Sequence, residues 1–200
     1  SCGTAGQVLI SQGSSGVCWG PASPGASSAT PTALGTVYGL TEDSDSSCGN
    51  VALGYCALNA LPIGAAGYWN IGIGACALVN LDYGGCNIAI GPNALYSVTG
   101  IDYNIGIGDV AGNSLTTGQD NIFLGHQSGN VFTTGCRNTF LGTCSANGQT
   151  SGCNNVAIGY NTKFPVVTGS CQLVIGYTCN CNWLTGCSNK NIRPGAGIRD

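Results

Sequence analysis

Charge is what this chain has least of: only 6% of its 200 residues are Asp, Glu, Lys or Arg. The first 135 residues hold no Lys or Arg. A nucleic-acid partner requires a basic face, so none is expected. Hydrophobic residues make up 43%, yet no apolar run approaches the roughly 18 to 20 residues of a spanning helix, and no membrane insertion is expected. There is no CxxC pair among the 13 cysteines, and Cys179-Asn180-Cys181 has the wrong spacing for a zinc knuckle, so no metal site is expected. Histidine occurs once, at His126, and no GxSxG elbow is present, which leaves little basis for a nucleophilic enzyme.

What is abundant is glycine, 34 residues of it, and it is placed periodically. Eight segments follow an Asn-apolar-small-apolar-Gly pattern: NVALG from Asn50, NIGIG from Asn70, NIAIG from Asn87, NIGIG from Asn104, NIFLG from Asn121, NTFLG from Asn138, NVAIG from Asn155 and QLVIG from Gln172. They close at Gly54, Gly74, Gly91, Gly108, Gly125, Gly142, Gly159 and Gly176. From Asn70 onward the spacing is seventeen residues, and only the first interval is longer, by three around Leu61 to Ala65. A fixed period of this kind marks a solenoid in which each repeat packs on its neighbours.

Alternation within the motif is strand periodicity. Val51 and Leu53, Ile71 and Ile73, and their counterparts are read as the inward ladders of parallel strands. The intervening column of Ala52, Gly72, Ala89, Gly106, Phe123, Phe140, Ala157 and Val174 is also free of polar groups. Both strand faces therefore read as buried, one in the coil's own lumen and the other against a second copy, with a homotrimer the natural form for a fibre. Closing glycines offer positive φ or close backbone approach. A second glycine precedes most copies, at Gly67, Gly84, Gly118, Gly135, Gly152 and Gly169, whereas the fourth copy has Ile101 there with Gly100 beside it. The Asn residues suit left-handed geometry or an amide ladder up the stack. A small residue follows each closing glycine at the third position, Ala57, Ala77, Ala94, Ala111, Ser128, Ser145 and Thr162, which suits a tight second strand. Eight or nine coils at roughly 4.8 Å make a rod about 40 Å long, with helix nearly absent.

Around this domain, 48–186, the chain divides into a hairpin-like module at 1–22, a Pro/Ser/Ala-rich linker or cap at 23–47, and a degenerate repeat or tail at 187–200 in which Asn189 keeps the beat. Pro194 is awkward for a central strand. Seven acids and no bases precede residue 136, while Arg137, Lys163, Lys190, Arg193 and Arg199 follow with Asp200 alone among acids. Such polarity orients head-to-tail packing or simply reflects loop composition. A start at Ser1 without Met and an uncapped end at Asp200 are what a processed form or a piece of a longer protein would have.

The Asn-Val-Ala-Ile-Gly core, whole at Asn155 to Gly159, resembles the head repeats of YadA-like trimeric autotransporter adhesins, and the same repeat occurs in bacteriophage tail fibres. The N-terminal GTAGQVLISQGSSGVCWG is similar to a module of phage tail-fibre proteins. Together these likenesses cover about three quarters of the chain. They imply a left-handed parallel β-roll in a homotrimer, located in the virion or outside the cell, with a structural and host-attachment role. Implied partners are further copies of the chain, other virion fibre or baseplate proteins, and a host surface glycan or protein. The head of a bacterial trimeric adhesin at the cell surface is the runner-up, and a tailspike depolymerase the third reading. The seventeen-residue period and the many cysteines depart from the adhesin pattern, so collagen-type binding is not carried over.

Cysteines follow the beat: Cys56, Cys76 and Cys144 lie two after a closing Gly, while Cys48, Cys136, Cys153 and Cys187 lie two before a motif. Stacked columns place Cys136 near Cys153 and Cys56 near Cys76, close enough for disulfides. Structural thiols are the alternative, since Cys packs as a small buried hydrophobe. No catalytic residue and no cofactor are expected. His126 lies in an exposed loop column, and Asp102 with Asp120 is the only carboxylate pair that a glycosidase would find. Tyr55, Tyr160 and Tyr177, each one residue after a closing Gly, together with Trp183 are the candidate receptor-binding aromatics; the alternative is that they cap turns.

Overall fold

Each motif copy folds as a short strand that the closing glycine turns away from the sheet, and the stack of those strands is the body of the protein. A computed structural model describes residues 7–11, 17–21, 37–38, 49–61, 67–178, 181–186 and 192–194. The linker 23–47, the insertion at Leu61 to Ala65 and the tail fall largely outside these residues, as does Asn189. The chain divides into two units, Ser1–Leu34 and Gly35–Asp200. In the first, β1 (Gln7–Ser11) and β2 (Val17–Pro21) pair antiparallel.

The second unit holds β3 (Val37–Tyr38), β4 (Val51–Leu53), β5 (Ile71–Ile73), β6 (Ile88–Ile90), β7 (Ile105–Ile107), β8 (Ile122–Leu124), β9 (Thr139–Leu141), β10 (Val156–Ile158), β11 (Leu173–Tyr177), β12 (Cys181–Gly186) and β13 (Ile192–Pro194). They form one sheet in sequence order. From β4 to β11 every pairing is parallel and in register, Ile71 on Ile88 and Ile88 on Ile105, so successive motif copies sit one above the other. The architecture is all-β, a parallel β-solenoid of about seven turns, as the period predicts. Antiparallel strands close both ends: β3 on β4, and β12 on β11 followed by β13 on β12. The solenoid's parallel run therefore stops at Tyr177 rather than continuing to 186. Pro194 ends the edge strand, the position in a sheet where a proline is tolerated.

Seventeen residues make a narrow coil, and the lumen takes one side chain per three-residue strand. That side chain is the middle one: Ala52 is 3% exposed, and Ala89, Phe123, Phe140, Ala157 and Val174 are fully buried. The flanking branched residues point outward, with Val51 at 43% and Ile122 at 38% exposed. The inward assignment of Val51/Leu53, Ile71/Ile73 and their counterparts is thus reversed. Alternation says which residues share a face; the turns decide which face is inside, because Leu58, Leu78, Leu81, Leu95, Val98, Leu115 and Phe132 enter the lumen from across the coil.

The closing glycines are required by contact. A Cβ on Gly91 (φ +126°) would stand 2.6 Å from the carbonyl oxygen of Gly108 in the next coil. The motif Asn residues, fully buried from Asn70 to Asn155, form a ladder. Asn87 Oδ1 accepts from the backbone N of Asn104 at 3.0 Å and from its Nδ2 at 3.3 Å, while Asn104 Nδ2 also donates to Gly118 O at 3.1 Å. The pattern runs on to Gln172, whose N donates to Asn155 Oδ1 at 2.9 Å. Left-handed backbone belongs to the residue before each Asn, such as Cys86 (φ 59°), Tyr103 (φ 61°) and Arg137 (φ 57°), not to the Asn itself. The small-residue column is likewise a turn rather than a second strand: Ala94 N donates back to Gly91 O at 3.3 Å, and Ser128 Oγ spans the lumen to Phe140 O at 2.9 Å.

Candidate functional site

The outward sides of β4 to β11 carry two parallel columns: Val51, Ile71, Ile88, Ile105, Ile122, Thr139, Val156 and Leu173 in one, Leu53, Ile73, Ile90, Ile107, Leu124, Leu141, Ile158 and Ile175 in the other. Thr139 is the only side chain there with a polar atom. In-register stacking at about 4.8 Å per rung makes this one unbroken aliphatic strip running the length of the ladder. Apolar surface of that continuity differs from the scattered single apolar residues that are the norm on a free surface.

The predicted aromatics separate. Tyr160 and Tyr177 stack, ring centroids 5.2 Å apart at 27°, and are 47% and 54% exposed. Tyr55 stands six coils away in the same column, 75% exposed, and a hydrogen bond with Cys56, followed by the nearby Cys56 and Cys76 charges, holds its hydroxyl pKa above the ordinary value. The three do not form one site. Trp183 belongs to β12, and its side chain lies outside the described residues.

The cysteines whose side chains are described, Cys56, Cys76, Cys86, Cys136, Cys144, Cys153 and Cys171, are free thiols. Cys136 N donates to Cys153 Sγ at 3.2 Å. Burial, followed by the neighbouring Cys56, pushes the Cys76 thiol pKa up. Cys56, Cys76 and Cys144 all adopt left-handed backbone, φ 55°, 57° and 53°, in the column that elsewhere carries Asn93 and Asn161.

The carboxylates are dispersed. Asp102 Oδ1 accepts from Gly85 N at 2.6 Å in the coil before it, while Asp120 sits exposed at a left-handed turn, φ 60°. His126 and Asp109, half exposed on adjacent coils, lie 3.7 Å apart. Among the described residues no three His, Cys, Asp or Glu side chains converge.

Sequence reasoning missed a second aromatic group: Tyr68, Trp69, Tyr83 and Tyr103, exposed by 46, 61, 53 and 57%. The available signal was glycine out of place. Gly85 stands in the column of Tyr68, Asp102, Gln119 and Cys136, and Gly100 in that of Tyr83, Thr117 and Thr134. No family model, curated protein or solved structure matches this chain.

Proposed function

We propose that this chain is a structural fibre module of a virion, a phage tail fibre or similar appendage, that assembles as a homotrimer and contributes to attachment at the host surface. The observation that carries the reading is the outward aliphatic strip, β4 to β11, on a solenoid whose lumen is already filled. A fully packed interior leaves the strip's apolar surface to be covered by something else, and three identical strips around a threefold axis cover one another with matched rungs. The resemblance of the Asn-Val-Ala-Ile-Gly repeat to trimeric fibres and adhesins supports the same arrangement. The edge strands are short, two residues in β3 and three in β13 with Pro194 at its end, which blunts strand addition at the ends of the sheet and favours lateral association through the strip. The role is mechanical and adhesive, without a catalytic centre, and the fibre or baseplate proteins on either side are its virion partners.

The test is the native mass in solution. Light scattering is expected to give a mass near three chains, and Ile90→Asp with Ile107→Asp is expected to reduce it to one. A wild-type monomer at micromolar concentration would overturn the reading.

A further inference from the structure

Three of the exposed aromatics are seated on glycines of a neighbouring coil. Trp69 lies over Gly49, where an added Cβ would stand 2.7 Å from its Cδ1. Tyr68 lies over Gly85, where a Cβ would stand 2.8 Å from ring atoms Cδ2 and Cε2. A Cβ on Gly100 would fall inside the Tyr83 ring. Gly100 and Tyr83 face each other in the minor ladder of isolated bridges on adjacent coils, off the main sheet. This explains the irregular fourth copy: with Ile101 buried and Gly100 beside it, the turn leaves a bed for Tyr83. Rings held this way are placed before any ligand arrives, yet each keeps about half its surface open, so little side-chain freedom remains to be lost on binding.

We infer that Tyr68, Trp69 and Tyr83, with the Asp102 carboxylate, form a binding platform for an uncharged pyranose chain; this deepens the attachment part of the fibre reading by naming the ligand class. The Tyr68 and Trp69 rings meet edge to face, centroids 5.4 Å apart at 79°, making a floor and an upright wall. The Gly85 and Gly100 seats are one coil and two residues apart, about 8 Å at ordinary strand spacings. That distance exceeds the length of one pyranose ring, so it suits an extended oligosaccharide lying across both seats rather than one compact ligand. Pyranose rings present C–H faces that pack on aromatic rings and hydroxyls that donate hydrogen bonds. Asp102 supplies the acceptor: its Oδ1 is fixed by Gly85 N at 2.6 Å, beside the Tyr68 seat, and its Oδ2 is unengaged among the described residues. Charge narrows the class further. Asp102 lies beside the Tyr68 seat and no Lys or Arg precedes Arg137, so an acidic polysaccharide is repelled. The rings each keep about half their surface open, which disfavours a cationic headgroup enclosed in an aromatic cage.

The probes are maltohexaose, cellohexaose and mannohexaose, with an oligogalacturonate hexamer as the acidic counterpart, titrated at millimolar concentration against the full chain. The Trp69 indole resonance and titration calorimetry are the readouts. At least one neutral hexamer is expected to shift Trp69 and the acidic one not to. Tyr83→Ala is expected to weaken binding about tenfold, as loss of an aromatic contact does. Gly100→Ala keeps every ring but unseats Tyr83, and is expected to weaken binding as well, while Tyr160→Ala leaves it unchanged. Circular dichroism confirms that each variant folds. The proposal is overturned if no neutral hexamer moves Trp69, if the acidic hexamer binds equally, or if Tyr68→Ala/Tyr83→Ala binds like wild type. A trimer that binds no sugar sinks the platform alone, and a monomer that binds sugar sinks the trimeric fibre alone.

Discussion

From β4 to β7 the strand centres are Ala52, Gly72, Ala89 and Gly106, and the lumen is filled from the turns by Leu58, Leu78 and Leu95; at β8 and β9 the centres are Phe123 and Phe140, and the corresponding turn column becomes Gly112, Gly129 and Ala146. The exchange is a matter of contact. A Cβ on Gly106 would stand 2.7 Å from Leu95 Cγ, and one on Gly112 would stand 2.6 Å from Phe123 Cδ2. Both halves keep the turn left-handed, with φ 53° at Leu78 and 49° at Leu95 against 59° at Gly112 and 57° at Gly129. A leucine in that conformation costs about 1–2 kcal/mol. Burying its side chain contributes about 1.5–3 kcal/mol, so the first half gains, though narrowly. The second half avoids the backbone cost at Gly112 and Gly129, though not at Ala146 (φ 58°), by bringing volume in from the strand. There Phe123, Phe132, Phe140 and Phe164 form a chain of tilted and edge-on contacts 5.3 to 5.9 Å apart. The two halves show that the fold demands a filled volume per rung and a left-handed turn, and that either side of the lumen can supply the volume.

The contrast is broken most severely at Phe140, which touches Phe123, Phe132 and Phe164. Phe140→Ala is expected to lower stability by about 3–5 kcal/mol in urea unfolding, with little room for the closed coil to collapse. Leu78→Ala in the other half is expected to cost less than Phe140→Ala, because the side chain removed is smaller, while the left-handed cost stays since alanine keeps the Cβ; equal losses would contradict this ranking.

Next in size is the volume exchange itself. Gly129→Leu brings the turn residue of the first half into the second, where a Cβ already stands 2.5 Å from Phe123 Cδ1. Overpacking is expected to cost about 1–3 kcal/mol. Adding Phe123→Gly is expected to recover part of that loss, a double-mutant coupling that independent sites would lack.

The Asn ladder runs through both halves and sets a common reference. Asn121→Ala removes bonds of 2.9 Å to Asn104 Oδ1 and 2.8 Å to Gly135 O, and strands the buried Asn138 N. A cost of about 1–3 kcal/mol is expected, similar to that of Asn87→Ala in the leucine half. A large difference between the two would show that the ladder is not uniform.

The smallest effect is at Cys76. Its thiol pKa is raised by burial and then by Cys56, so alkylation by iodoacetamide is expected to need a higher pH than an ordinary cysteine, and Cys56→Ser to bring the midpoint part of the way down. A raised folded-state pKa means its contribution is intact below the unfolded thiol's pKa and declines as pH rises through the folded one. Alkaline pH therefore weakens this end of the solenoid, and an alkylation midpoint at or below the ordinary value would contradict the assignment.

Period, register and the residues that enforce them were legible in the chain alone. Seventeen-residue spacing places Asn87 over Asn70 and Gly91 over Gly74 whatever the handedness of the coil, and three-residue strands between glycines leave no room for helix. The candidate surfaces were legible only in part. Tyr160 and Tyr177 share a column and do stack, but the seats of Tyr68, Trp69 and Tyr83 depend on which way each ring leans between coils, which no periodicity encodes.

Local alternation and fixed spacing thus determined that this protein is a stack of parallel strands with amide and glycine columns. Tertiary structure alone decided which strand face is interior, because the closed seventeen-residue coil has room for one side chain of each three-residue strand. Where Leu78 and Leu95 reach the lumen from the far side that side chain is small, where the turn carries Gly112 and Gly129 it is Phe123 or Phe140, and in both halves the flanking pair is left outside.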